Sequence, residues 1–218
     1  MGRWRGGRRG FLLLATTLAL AGPALAQPAD ESILPPEAHA PDMRALVQEH
    51  AAGLRRLHAE LARCAPELAI QKNGIAFRRP RGHSDGPPHL TLWVWLDGTR
   101  PPRGRSFGAR AGEAFGRYGQ GLFRRLLGQS AVFADARVGG YGLILTWVGP
   151  TERGGRVVGE SLAVFADKVA VANFVLDTIG PEAFLSRAEV RAFDGETELP
   201  PPSLGLDDAA PAQAATAC

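Results

Sequence analysis

The sequence predicts an α+β fold: a ferredoxin-like (βαββαβ) antiparallel sheet, preceded by an added N-terminal helix and β-hairpin. Residues 140–148 and 156–166 are long apolar runs rich in β-formers, separated by the polar, glycine-rich segment 149–155, and read as paired strands. Residues 41–64 place Met43, Val47, His50, Leu54, Leu57, Leu61 and Cys64 at alternating spacings of four and three, which makes one helical stripe. From His89 to Phe193 the patterns run strand, helix, strand, strand, helix, strand, the order of the split βαβ motif.

In chain order the first feature is a leader. A basic segment, Met1 to Arg9, precedes an apolar run from Phe11 to Ala21, a Gly22-Pro23 break and Ala24-Leu25-Ala26. That arrangement is a cleavable signal peptide over residues 1–26, so the chain is expected to be periplasmic or secreted. Gln27, not cysteine, would open the mature chain, which argues against lipid attachment there. Arg8-Arg9-Gly10-Phe11-Leu12 resembles the twin-arginine export signal, although it lacks the Ser or Thr before the pair and the Lys after it. The resemblance implies bacterial export of an already folded protein, sometimes one carrying a cofactor; an Arg-rich general secretory signal reads the same residues equally well.

The leader also explains the charge. The chain has 25 Lys and Arg residues against 22 acids, but Arg3, Arg5, Arg8 and Arg9 fall in the leader, which has no acid; without them 21 face 22, a net −1. A near-neutral mature chain gives no global case for binding nucleic acid. No second apolar run is long enough to span a membrane.

Residues 27–40, with Pro28, Pro35 and Pro36, read as a linker to a single α+β domain over 41–199. Pro41 suits a first helical turn, and Pro66 should end that helix near Cys64 or Ala65. Leu68–Lys72 and Ile75–Arg79 flank Asn73-Gly74, a tight-turn dipeptide, and read as a hairpin. His89–Asp97 is a strand with Leu90, Leu92, Val94 and Leu96 on one face and Thr91, Trp93 and Trp95 on the other. Ser106 is an N-cap for a glycine-rich helix over 107–127, and Asp167 caps another through about Asp177. Pro181 opens a shorter helix, Glu189–Phe193 is a strand that could pair with 197–199, and 200–218 is a disordered Pro- and Ala-rich tail.

If Val148 pairs with Arg156 in the central hairpin, Trp147, Leu145, Leu143 and Tyr141 face Val157, Gly159, Ser161 and Ala163, large opposite small. The opposite face then carries Ile144, Thr146 and Val148 with Glu160. Two helices cover only one face of such a sheet, so the second needs cover, from the 41–64 helix, a partner subunit or an apolar ligand.

Candidate functional residues follow from this. Glu160 is a lone carboxylate in an apolar strand and must be paired, protonated or functional; it is named as a binding residue with Trp93, Trp95, Tyr141 and Trp147. His83-Ser84-Asp85 with His89 unites nucleophile, base and acid types, but neighbours in one loop seldom align in series. The helical histidines, His50 and His58, lack ligand-type neighbours at metal spacing, and no phosphate or dinucleotide loop is present, so no metal or cofactor is expected. RNA-recognition aromatics are missing where Val157, Gly159 and Ser161 stand. Cys64 and Cys218 could form a disulfide in an exported chain, but a buried thiol at Cys64 is the preferred reading. The function expected is an exported, non-catalytic bacterial domain that binds a partner protein or an apolar small ligand. The alternative is a periplasmic hydrolase-like enzyme using Glu160 or the His83–His89 loop.

Overall fold

Among the described residues six strands form one mixed sheet: β1 (Leu68–Arg78), β2 (His89–Leu96), β3 (Gly140–Arg153), β4 (Arg156–Asp167), β5 (Glu189–Asp194) and β6 (Thr197–Leu199). The computed structural model describes residues 29–80, 85–96, 106–153 and 156–206. The expected signal peptide, His83, Ser84, the loop 97–105, residues 154–155 and the tail beyond 206 lie outside them. The described helices are α1 (Ala29–Ser32), α2 (Pro41–Cys64), α3 (Phe107–Leu127), α4 (Ser130–Ala134), α5 (Lys168–Val175) and α6 (Pro181–Leu185).

The α+β class holds, but the ferredoxin-like order does not. The strands lie side by side in chain order, β1 to β6, with β2 and β3 parallel across the α3 connection and every other pair antiparallel. The reason sits at β1. Asn73-Gly74 does not turn the chain: Asn73 takes a left-handed φ of 57° inside one continuous strand whose register shifts between Ile70 and Ile75. That single strand pairs with β2 along its length, from Leu68 with Leu96 to Arg78 with His89. A ferredoxin-like sheet would set β2 between β5 and β4; here β2 lies between β1 and a parallel β3, and β5 pairs beside β4.

The residues before α2 are more than a linker. Ile33 bridges Ile75, Leu34 N–H donates to the Ile75 carbonyl at 3.0 Å, and His39 Nε2 accepts from the Phe77 N–H at 3.3 Å. Burial and the neighbouring Arg78 charge both hold the His39 imidazole below its ordinary range, consistent with a neutral acceptor ring.

All the long helices pack on one face of the sheet. Leu90, Leu92, Val94 and Leu96 of β2, with Tyr141, Leu143, Leu145 and Trp147 of β3, join the buried stripes of α2, α3 and α5 in one core cluster. Each fully buried Leu or Val there contributes about 1.5–3 kcal/mol relative to exposure. The stripe read for α2 is buried as expected, and α2 ends at Cys64. Its place differs from expectation, because it covers the same face as α3, and among the described residues no helix lies on the second face. Its His50 ring lies 5.8 Å from that of Phe77 on the core side of β1, and its Glu60 accepts from Arg125 of α3 at 2.7 Å. The caps on α3 and α5 form as read: Ser106 accepts from Ala109 N–H at 3.2 Å and Asp167 from Ala170 N–H at 2.8 Å.

A charged cluster ties α2 to the segment after α4. Arg137 donates to both oxygens of Asp135, at 3.0 and 2.6 Å, and also bonds Glu49; His50 Nε2 lies 3.0 Å from Asp135 Oδ2. The Arg137 guanidinium, aided by His50, holds the Asp135 carboxyl well below its ordinary 3.8 despite the opposing effect of its surroundings. A depressed carboxylate contributes stability above its unfolded pKa and loses it as pH falls through the folded one. Asp135→Asn is therefore expected to lower Tm at neutral pH, with the gap to wild type closing in acid. Melting curves of both proteins from about pH 2 to about pH 7 check this.

Candidate functional site

The face of the sheet that no described helix covers is the candidate site. The indoles of β2, Trp93 and Trp95, stand there partly exposed, outside the core cluster, as the alternation of that strand implied. Trp93 Nε1–H donates to Thr146 Oγ1 on β3 at 2.8 Å, and Thr146 shares a 2.9 Å hydroxyl hydrogen bond with Ser161 on β4. The indole is thus fixed by a polar relay that runs across three strands, its ring edge satisfied and its apolar surface left toward solvent.

Trp95 reaches across β3 to Gly159, where an added Cβ would lie 3.2 Å from the ring. Phe165 lies over Gly142 in the same way, at 2.5 Å. Large does oppose small in this sheet, but on this face. Ile144 is partly exposed and Val148 is 44% exposed, which extends the apolar surface along β3. On β5, Phe193 is partly exposed, with the Arg191 guanidinium 5.8 Å from its ring centre and held by Glu198 of β6. The partly exposed residues of this face are thus aromatic and aliphatic, with the Arg191–Glu198 ion pair at its β5–β6 side.

The other residues named from sequence lie on the opposite side of the sheet. Val148 pairs with Gly159, not Arg156, and Trp147 pairs with Glu160. The hairpin register is therefore displaced by three residues from the one expected, and an odd displacement turns β4 over. Glu160 faces the helix-covered core, 4% exposed. Arg110 of α3 grips it with two hydrogen bonds, Nε to Oε2 at 2.8 Å and Nη2 to Oε1 at 2.5 Å, and Trp147 Nε1–H donates to Oε2 at 2.7 Å. Both carboxylate oxygens of Glu160 therefore accept hydrogen bonds from within the core, on the side of the sheet away from Trp93 and Trp95. Trp147 and Tyr141 are fully buried, and burial pushes the Tyr141 phenol up to about 12. Neither ring reaches the open face.

The His83–His89 loop is described only in part. Asp85 is exposed, and His89 lines a cavity of about 230 Å³ with Pro80, Pro87, Phe165 and Glu189. Asp167, also on that cavity, is committed to capping α5. Two further cavities, of about 370 and 360 Å³, lie against α6 and between α2 and α4. None of these three is lined by Trp93, Trp95, Ile144 or Val148. Among the described residues no group of three His, Cys, Asp or Glu side chains is placed to hold a metal, and no helix is long and apolar enough to cross a membrane.

Sequence reasoning missed Thr146 and Ser161 as the relay that fixes Trp93, and Arg110 as the partner of Glu160. The alternation of β2 did separate the tryptophans from the core leucines. No protein-family model, no curated protein and no solved structure matches the chain.

Proposed function

We propose that the chain is an exported, non-catalytic binding domain that docks a partner protein on its open sheet face. The observation that supports this most is the pair of neighbouring indoles, Trp93 and Trp95, held partly exposed on a sheet face that no described helix covers. Exposed apolar strips of this kind with a polar rim are typical of protein contact surfaces, and tryptophan is enriched at their energetic centres. The two indoles stand at alternate positions of one strand with the exposed Val148 on the neighbouring strand, and they are taken as the centre of a protein contact. Export rests on the leader residues 1–26. A hydrolase using Glu160 is disfavoured, because both carboxylate oxygens are committed to Arg110 and Trp147.

Site-specific photo-crosslinking in the native host tests this reading. A benzoylphenylalanine at Val148, on the open face, is expected to give a discrete adduct that Trp95→Ala removes. The same probe at Leu176, an exposed position of the α5 end, serves as the control. Adducts from Leu176 alone, or from neither position, would sink the proposal.

A further inference from the structure

Both chain segments that flank the expected domain pack on it. Residues 200–206, read from sequence as part of a disordered tail, cross α3 closely. An added Cβ at Gly108 would lie 2.1 Å from the Ser203 carbonyl oxygen, and one at Gly112 would lie 2.3 Å from that of Gly205. Cys64, at the end of α2, is disulfide-bonded, which replaces the buried thiol expected from sequence. The segment before α2 differs from both, because a titratable ring sits at its point of contact with the sheet.

β1 is an edge strand, and residues 33–39 meet its outward backbone groups. Leu34 N–H donates to the Ile75 carbonyl at 3.0 Å, and Phe77 N–H donates to His39 Nε2 at 3.3 Å. A backbone N–H can only donate, so Nε2 is unprotonated. The ring proton then sits on Nδ1, which donates to the Pro35 carbonyl at 3.1 Å. His39 is 5% exposed. A proton added to Nε2 would set two donors against each other and enclose a charge beside them. Burial is the main reason the ring is held below its ordinary 6.5; the bond to Pro35 opposes it and the Arg78 charge adds to it.

The other charged groups around this contact come from three elements. β1 supplies Arg78, bonded to the Asn73 carbonyl, and Arg79 follows it, paired with Asp42 of α2. From α2, Arg44 Nε donates to the His39 carbonyl at 3.2 Å, and His50, bonded to Asp135, lies behind the Phe77 ring. Glu37 stands in the same short turn as His39. The seat of the segment is also imperfect: Ser32 Oγ is buried with no hydrogen-bond partner among the described residues.

We propose that residues 32–39 are a pH-operated latch on the free edge of β1. Neutral His39 holds the segment down; protonation of its ring releases it and leaves the Ile75 carbonyl and the Phe77 N–H to water. In the released segment the ring regains its ordinary titration, so the open form is the one that binds the extra proton. The ratio of open to closed therefore rises as pH falls below 6.5, by at most about tenfold per pH unit for one proton.

Hydrogen exchange of single amides, read by NMR, tests this. Protection is taken relative to an unstructured chain at each pH, so that the intrinsic pH dependence of exchange cancels. From about pH 7.5 to about pH 5, protection of the Leu34 and Phe77 amides is expected to fall by about tenfold, because exchange follows the population of the open form. The amide of Leu145, in the core on β3, should keep its protection. His39→Gln puts a neutral side chain with one acceptor and one donor in place of the ring. It should remove the fall, whatever absolute level of protection it leaves. Unchanged wild-type protection, an equal fall at Leu145, or an equal fall in His39→Gln would overturn the latch.

Discussion

Arg110→Met is expected to destabilise the protein by about 3–5 kcal/mol, the usual consequence of stranding one charge of a buried pair. The guanidinium supplies two of the three side-chain hydrogen bonds described for the Glu160 carboxylate, and both residues are under 10% exposed. Methionine matches the length of the stem but leaves a buried carboxylate facing Trp147 alone. A domain of this size has a total stability of only about 5–15 kcal/mol, so the variant would be partly unfolded under mild conditions. Arg110→Met combined with Glu160→Gln should recover most of the loss. The neutral amide oxygen can still accept from Trp147 Nε1–H, and no charge remains to be solvated. Urea denaturation of the four proteins of this double-mutant cycle measures the coupling. A single-variant loss under about 1 kcal/mol would show that the pair is not the buried anchor described here.

That anchor also shows where the sequence was legible and where it was not. A lone acid in an apolar strand demands a partner, and the demand is visible in the residues around Glu160. The identity of the partner is not, because Arg110 looks like one more solvated arginine on a helix. Its neighbours held a hint: Phe107 and Ala114, one turn to either side, share its face, and Phe107 packs 5.7 Å from Trp147. Local signals elsewhere fared well. The boundaries of α2, the caps Ser106 and Asp167, and the alternation of β2 depend on residues within a turn or two of each other, and all are as read.

Non-local features were hidden. Gly149-Pro150 looks like the end of a strand, yet β3 runs through it to Arg153 and absorbs the disturbance as a register shift between Val148 and Glu152. Glu152 pairs with Val157 and Arg153 with Arg156, so much of the segment that reads as a turn is strand. Taking the whole of 149–155 as the turn, with Val148 opposite Arg156, moved the pairing by three residues and placed Glu160 on the wrong face. The strand order was equally illegible, because it depends on which sheet edge is already taken. Reading Asn73-Gly74 as a turn split β1 and left the edge of β2 falsely free. The two-sided apolar character of the sheet was plain from its residues. Which side the helices would cover could not be read from the pattern, since both faces call for cover.

Gly140→Ala is expected to cost about 3 kcal/mol or more, toward the upper end of what overpacking does in a well-packed interior. An alanine Cβ there would sit 2.0 Å from the carbonyl oxygen of Ala166 and 2.7 Å from the His89 ring. The ring can rotate away, but the carbonyl belongs to the backbone of β4, whose neighbouring residue Asp167 pairs with Gly140 itself. Relief requires the β3–β4 ladder to open at the end where β3 also pairs in parallel with His89 of β2. The disturbance therefore reaches both neighbours of the central strand. Gly180→Ala is the matched control, since nothing lies within 4 Å of the added Cβ there, and its change should stay within about 0.5 kcal/mol. Equal denaturation midpoints for the two variants would mean that β3 and β4 approach less closely at Gly140 than described. A selective loss in Gly140→Ala would support the close approach of β3 to β4 at Ala166 and Asp167, one end of the register that carries Glu160 into the core.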